Sequence, residues 1–258
     1  MKIPRQMQLK FDQIVILIKK DFKLKYDSTA LGMAWSVLTP LMMSFVYYFV
    51  FGKMMKLGDE KYALYIISGN FLWHYFAAVV MQNGNVLMAN AALLKKTAVD
   101  RRLFVWGTYF TESMHFLLTI PILVAIMVFF RVKPDFVTFP INFLVAMVSL
   151  AYFSMGIGYV FAGLNLHFRD LQRIMSILML AWVYASPVFI PITRVPEKYV
   201  WVYDFNPMAR ILMTWRDAFH NPEFHPERFA VTLAVAFVTF IVGRWIFMKL
   251  EPRAAEMM

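Results

Sequence analysis

Six stretches almost free of charged side chains divide this chain of 258 residues. Residues 28–52, 62–94, 136–168 and 174–193 carry no Asp, Glu, Lys or Arg, and residues 103–130 carry only Glu112. Residues 229–250 carry only Arg244 and Lys249, both near one end, where long cationic side chains reach the interface. A helix needs about 20 mostly apolar residues to cross the hydrocarbon core of a bilayer. The pattern therefore predicts an all-α integral membrane protein with six transmembrane helices and a single membrane domain over 1–258. The chain is 60% hydrophobic and 16% charged, where a soluble domain has about 45–50% and about 25%. That leaves no room for a soluble basic domain. The net charge of +10 thus reads as topology and affinity for anionic lipid, with no nucleic-acid partner.

Six spans put both termini on one side. With the N-terminus inside, 16 of the 26 Lys and Arg residues fall in inner segments and 10 in outer ones. In the outer segment 194–228 five acids cancel five bases. The positive-inside rule then places both termini in the cytoplasm. No cleavable signal peptide is expected, because the apolar run Ile14 to Ile18 is short and meets Lys19 and Lys20 at once. The chain has no cysteine, so disulfides and thiolate chemistry are excluded.

Three segments outside the spans carry information. On a helical wheel Met7, Phe11, Ile14, Val15, Ile18 and Phe22 share one arc, with Asp12, Lys19, Lys20 and Lys23 roughly opposite. Residues 6–25 are read as an amphipathic interfacial helix, the alternative being a plain positive-inside flank. The stretch 62–94 would be about 50 Å long as one helix, so Gln82, Asn83, Gly84 and Asn85 are expected to mark its exit from the membrane. Residues 86–102 then project into the cytoplasm, where Ala91, Ala92, Leu93 and Leu94 form an apolar knob ahead of Lys95 and Lys96. The knob reads either as a coupling element that docks on a motor subunit or as the tail of the second span. Residues 194–228 hold Pro196, Pro207, Pro222 and Pro226 among many aromatics. That composition suits short re-entrant helices between spans five and six better than a polar loop.

Chemistry within the membrane is sparse. Glu112 and His115 lie three residues apart on one helix face. They read as a buried structural pair, capped by Thr108 or Thr111, with a proton relay as the alternative. His74, His115, His167, His220 and His225 have no metal-ligand spacing, so no metal site is expected. The only Gly-Lys pair, Gly52-Lys53, lacks the rest of a phosphate-binding loop. Active transport would therefore draw on a partner, with ATP and Mg bound there and no cofactor in this chain. No catalytic constellation stands out. A polytopic glycosyl- or acyltransferase would need a cluster of His with Asp, or Asp with Glu, at one face. Among the many aromatics, Trp35, Tyr47 and Tyr48 on span one and Trp182 and Tyr184 on span five are candidates to line a passage. Their rings offer apolar faces with polar edges that suit sugars.

Several pieces, in order, resemble the permeases of ABC-2 type polysaccharide exporters. Residues 19–42 (KKDFKLKYDSTALGMAWSVLTPLM) match their opening pattern at Tyr26, Leu31, Gly32, Trp35, Leu38 and Pro40, with Thr29 in place of the usual Ser. Residues 62–77 resemble their second span at Gly69, Trp73 and Phe76, and residues 90–96 (NAALLKK) their coupling segment. Residues 163–174 (GLNLHFRDLQRI), 186–196 (SPVFIPITRVP) and 206–208 (NPM) match later junctions. One departure is the stretch 97–104, TAVDRRLF, where the family usually has an aromatic-Pro-Arg turn. The resemblance covers nearly the whole chain. It implies a homodimeric channel in the bacterial cytoplasmic (inner) membrane, paired with two copies of an ABC ATPase. The implied cargo is a lipid-linked polysaccharide, with O-antigen favoured by the FRD-containing junction. An exporter of a drug or small lipid from the same superfamily is the alternative.

Overall fold

The computed structural model describes residues 5–27, 31–58, 61–97, 99–168, 170–219 and 225–254. Thr29, Arg169, His220 and Pro222, singled out above, lie outside the described residues. All regular structure among the described residues is helical. In chain order the helices are α1 (Arg5–Tyr26), α2 (Trp35–Tyr47), α3 (Tyr62–Ala89), α4 (Ala91–Lys96), α5 (Arg102–Leu117) and α6 (Ile120–Phe129). They continue with α7 (Thr138–Asn165), α8 (Leu171–Tyr184), α9 (Glu197–Asp204), α10 (Pro207–Asp217) and α11 (Pro226–Ala254). A 3₁₀ turn, Gly32–Ala34, leads into α2, and a π-helical segment, Tyr48–Met54, prolongs it.

Five helical stretches are long and apolar enough to cross a membrane: Gly32–Met54, Tyr62–Ala89, Arg102–Phe129, Thr138–Asn165 and Pro226–Glu251. The sixth expected stretch, 174–193, is not one long helix. α8 has 14 residues, about 21 Å, and stops at Tyr184, shortly before Pro187. A proline disfavours helical backbone in the residue ahead of it. The polar cluster 82–85 does not end α3, which runs on to Ala89. Within that cluster Asn83 and Gly84 pack against α7, and Gln82 and Asn85 are exposed. A Cβ on Gly158 would sit 2.9 Å from the Asn83 side-chain nitrogen, and Asn165 Nδ2 donates to the Gly84 carbonyl at 2.7 Å.

α7 is the central helix, packed along α3, α10 and α11. Its contact with α11 is a backbone-to-backbone crossing. A Cβ on Gly156 would lie 2.6 Å from the Thr239 carbonyl carbon, and one on Gly243 would collide with the Gly156 carbonyl. Small residues at such crossings drive helix association in lipid, where apolar side chains gain nothing from leaving water.

α9 and α10 occupy the segment expected to be re-entrant. α10 is far from a loop: Met208, Leu212 and Trp215 are fully buried. Asn206 fixes its start. The Asn206 Oδ1 accepts from the Met208 backbone at 3.0 Å and from the Trp182 indole at 2.9 Å, and Nδ2 donates to the Ala185 carbonyl and to Ser186 Oγ. Pro207 at the first helical position loses no hydrogen bond. Arg216, near the other end of α10, is 6% exposed. Its guanidinium donates to the carbonyls of Pro187, Val188 (2.9 Å) and Tyr65 (3.3 Å) and lies 3.4 Å from the centre of the Tyr65 ring. A buried cation is tolerated here because carbonyl dipoles and a π-face replace water.

The α7–α11 crossing generates a prediction. Gly156→Ala forces two backbones apart and is expected to cost about 3 kcal/mol or more. The apparent Tm of the purified chain in detergent checks it, with Val128→Ala, at an exposed residue of α6, as the comparison.

Candidate functional site

Glu112 and His115 are 6% and 5% exposed on α5. Their i, i+3 spacing puts both on one face. The Glu112 Oε2 lies 3.1 Å from His115 Nδ1. The remaining partners come from the last turn of α1. Lys25 Nζ donates to Glu112 Oε1 at 3.1 Å, and Tyr26 Oη lies 2.9 Å from His115 Nε2. Lys25 Nζ also lies 3.4 Å from His115 Nδ1, so carboxylate, ammonium and phenol converge on one imidazole. The Phe22 ring packs 5.0 Å from the same imidazole. The expected threonine caps are absent from this arrangement, since Thr111 Oγ1 donates to its own helix at Gly107 O, 2.9 Å away.

The Lys25–Glu112 pair faces two cavities. One, of about 380 Å³, is lined by Tyr26, Trp35, Thr39, His74 and Thr119 as well as by the pair and His115. The other, of about 270 Å³, is lined by Asp21, Gln82, Asn85, Asn90 and Thr108 together with the pair. Asn90 is itself held by α1. Its Oδ1 accepts from Lys20 Nζ, and its Nδ2 donates to Val86 O at 2.7 Å. The Asn90 carbonyl in turn accepts from the Leu93 and Leu94 backbone, each at 3.0 Å, so α4 starts on this residue. α1, α4 and the inner end of α3 also share an apolar cluster, in which Leu17 is 4% exposed and Leu94 packs against the rim. Leu17 lies against Gly107 of α5, where a Cβ would meet it at 3.2 Å.

The sequence-derived positions are thus distributed as follows. In α4, Ala92, Leu93, Lys95 and Lys96 are exposed, Ala91 is half-buried, and Leu94 turns inward. Trp35 is exposed at the larger cavity. Tyr47 and Tyr184 pack tilted against Phe189, at 4.3 and 5.6 Å between ring centres. Tyr184 is exposed, and Tyr48 is half-buried with Lys53 near its ring. Trp182 is held among Trp73, Phe76 and Phe153, with its indole N–H committed to Asn206. Among the described residues no group of three His, Cys, Asp or Glu gathers as a metal site would.

The family model described as ABC-2 type transporter matches residues 12–220. This chain belongs to the ABC-2 type transporter family. It is 32% identical to the O-antigen export system permease protein RfbA of Klebsiella pneumoniae, over 96% of this chain and 95% of that one. It is 23% identical to the protein of the same name from Myxococcus xanthus, over 88% of each. It is 20% identical to the polysialic acid transport protein KpsM of Escherichia coli, over 88% of this chain and 89% of that one. In this ABC-2 chain sequence reasoning missed Lys25 and marked Tyr26 only through the resemblance. Both lie in the matched opening pattern, but nothing in their spacing links them to α5, 87 and 89 positions away.

Removing one partner of a buried ion pair is costly because the other charge stays in apolar surroundings. The Lys25 side chain is 41% exposed and that of Glu112 8%, so the cost falls below that of a fully buried pair. Lys25→Met and Glu112→Leu are each expected to cost about 2 kcal/mol. The double variant is expected to cost less than their sum by about 1 kcal/mol or more. Unfolding measured in detergent for the four chains checks this.

Proposed function

We propose that this chain is the membrane-embedded permease subunit of an ATP-driven exporter of lipid-linked polysaccharide, with O-antigen as the favoured cargo. The observation that carries the reading is likeness along 96% of the chain to a relative named as an O-antigen export permease. Likeness of that extent goes well beyond an isolated motif. In this reading the chain acts as a homodimer with two ABC ATPase subunits in the bacterial inner membrane. It has six spans and cytoplasmic termini, and ATP and Mg reside on the partner.

The contacts support a mechanism. α4 presents Ala92, Leu93, Lys95 and Lys96 to the cytoplasm as the docking element for the ATPase. Closure of the ATPases pushes on α4, and Asn90 passes the push to Lys20 of α1. α1 carries it to the Lys25–Glu112 pair, beside Trp35 on the first span. Trp35, Tyr47, Tyr48 and Tyr184 then face a passage between two protomers, with Trp182 as packing behind them. The first span supports this arrangement, since only 11% of its most apolar window is buried within one protomer. α9 and α10 close the outer end as re-entrant elements.

Two experiments test the reading. Deleting the gene in the source cell is expected to remove the surface polysaccharide and to accumulate its lipid-linked form inside. Unchanged surface polysaccharide would refute the function. For the coupling element, an Ala92→Asp, Leu93→Asp chain is expected to reach the membrane in normal amount but to lose at least about tenfold in export. A tenfold loss corresponds to about 1.4 kcal/mol of coupling. Leu94→Asp is expected instead to lower the amount of folded protein, because that side chain packs inward. Normal export by the Ala92→Asp, Leu93→Asp chain would exclude the docking role.

A further inference from the structure

A second feature lies on the other side of α1. The apolar arc Met7, Phe11, Ile14, Val15 and Ile18 does not close against protein. It forms one wall of an open trough of about 780 Å³. Met7 and Phe11 are 63% and 65% exposed. The opposite wall is a single face of α5: Leu103, Trp106, Phe110, Met114 and Leu117. That face is about 21 Å long at 1.5 Å per residue, more than half of a 30 Å hydrocarbon core. The trough is therefore as deep as one leaflet.

Its mouth is cationic. Lys10, Arg102 and Arg244 line it with one carboxylate, Asp100. Arg102 is already engaged, since its Nε and backbone N–H both donate to Asp100 Oδ1 at 3.0 Å. Burial pushes the Asp100 carboxyl up, but these hydrogen bonds outweigh it and hold the group below its usual value. Asp100 thus stays ionised and cancels Arg102. Lys10 and Arg244 form no ion pair within 4.0 Å among the described residues, and both are exposed.

We infer that this trough is a binding site for an anionic phospholipid of the inner leaflet, with one acyl chain between α1 and α5 and the phosphate between Lys10 and Arg244. An apolar channel one leaflet deep, with three cations against one carboxylate at its aqueous end, complements both parts of such a lipid. The trough lies between α1, α5, α7 and α11, away from the aromatic face of α2 and α8 assigned above to cargo. It requires only that the chain lies in a membrane. Occupancy would fill the space beside α1 and hold that helix against α5.

The test uses the full-length purified chain in detergent, with retained lipid counted by native mass spectrometry. Dioleoyl phosphatidylglycerol and dioleoyl phosphatidylcholine are offered at equal concentration. The wild-type chain is expected to keep one phosphatidylglycerol per protomer in preference to phosphatidylcholine. Lys10→Ala with Arg244→Ala is expected to weaken that retention about 30-fold, at about fivefold per cation near an anionic surface, with the helical content unchanged. Met114→Trp, which fills the trough and leaves the cations in place, is expected to weaken retention of both lipids. Equal retention of the two lipids by the wild type would overturn the inference, as would unchanged retention in the double variant. Displacement by glycerol phosphate at the concentration of the lipid would also overturn it, by making the site one for phosphate alone. Equal displacement by a polyprenyl diphosphate would reassign the trough to the cargo.

Discussion

Glu112 is an anion in a helix that crosses the membrane, and it has to be neutralised from nearby. Its own helix supplies only His115. The cation comes from α1, 87 residues earlier in the chain. Once Lys25 and Tyr26 are seated on Glu112 and His115, the position of α1 is set. Leu17 then meets Gly107, Lys20 reaches Asn90, and the apolar arc of α1 is left beside α5 with a trough between them. A membrane interior makes such a contact decisive, because a carboxylate there has few other ways to be satisfied.

The same contact joins the two ends of the proposed machine. α4 begins on Asn90, Asn90 is tied to Lys20, and five residues later Lys25 holds Glu112 between two cavities. The route is a contiguous set of hydrogen bonds and ion pairs along one rigid helix. That is the physical form in which a push on α4 can be felt beside Trp35. The proposed phospholipid trough lies along the same helix, so its occupancy and a push on α4 would act on one element.

Much of this was legible in the sequence, for physical reasons that can be named. Spans are legible because lipid excludes charge, so Gly32–Met54 and Thr138–Asn165 follow directly from uncharged runs. The resemblance also marked positions whose reasons the structure supplies. Gly32 adopts a φ of +49°, left-handed backbone that other residues avoid, at the turn into α2. Asn206 and Pro207 cap α10 and bind it to the end of α8. What the sequence hid depends on long-range contact. The cluster 82–85 is polar, and its packing of Asn83 and Gly84 against α7 could not be read from the sequence. The sixth uncharged run gave no sign of where its helix stops, and α8 ends at Tyr184, ahead of Pro187. Leu17 stands outside the apolar arc chosen by the wheel and is nevertheless buried against Gly107 of α5.

The central claim is that the Lys25–Glu112 contact transmits the action of the ATPase and does more than anchor a helix. The most direct measurement is export by chains in which the two charges are exchanged. Lys25→Glu alone and Glu112→Lys alone are each expected to reduce export at least about tenfold, by placing like charges in contact. The doubly exchanged chain, which restores an ion pair of opposite sense, is expected to recover most of it. Full export by either single variant, in chains folded and assembled as the wild type is, would contradict the account.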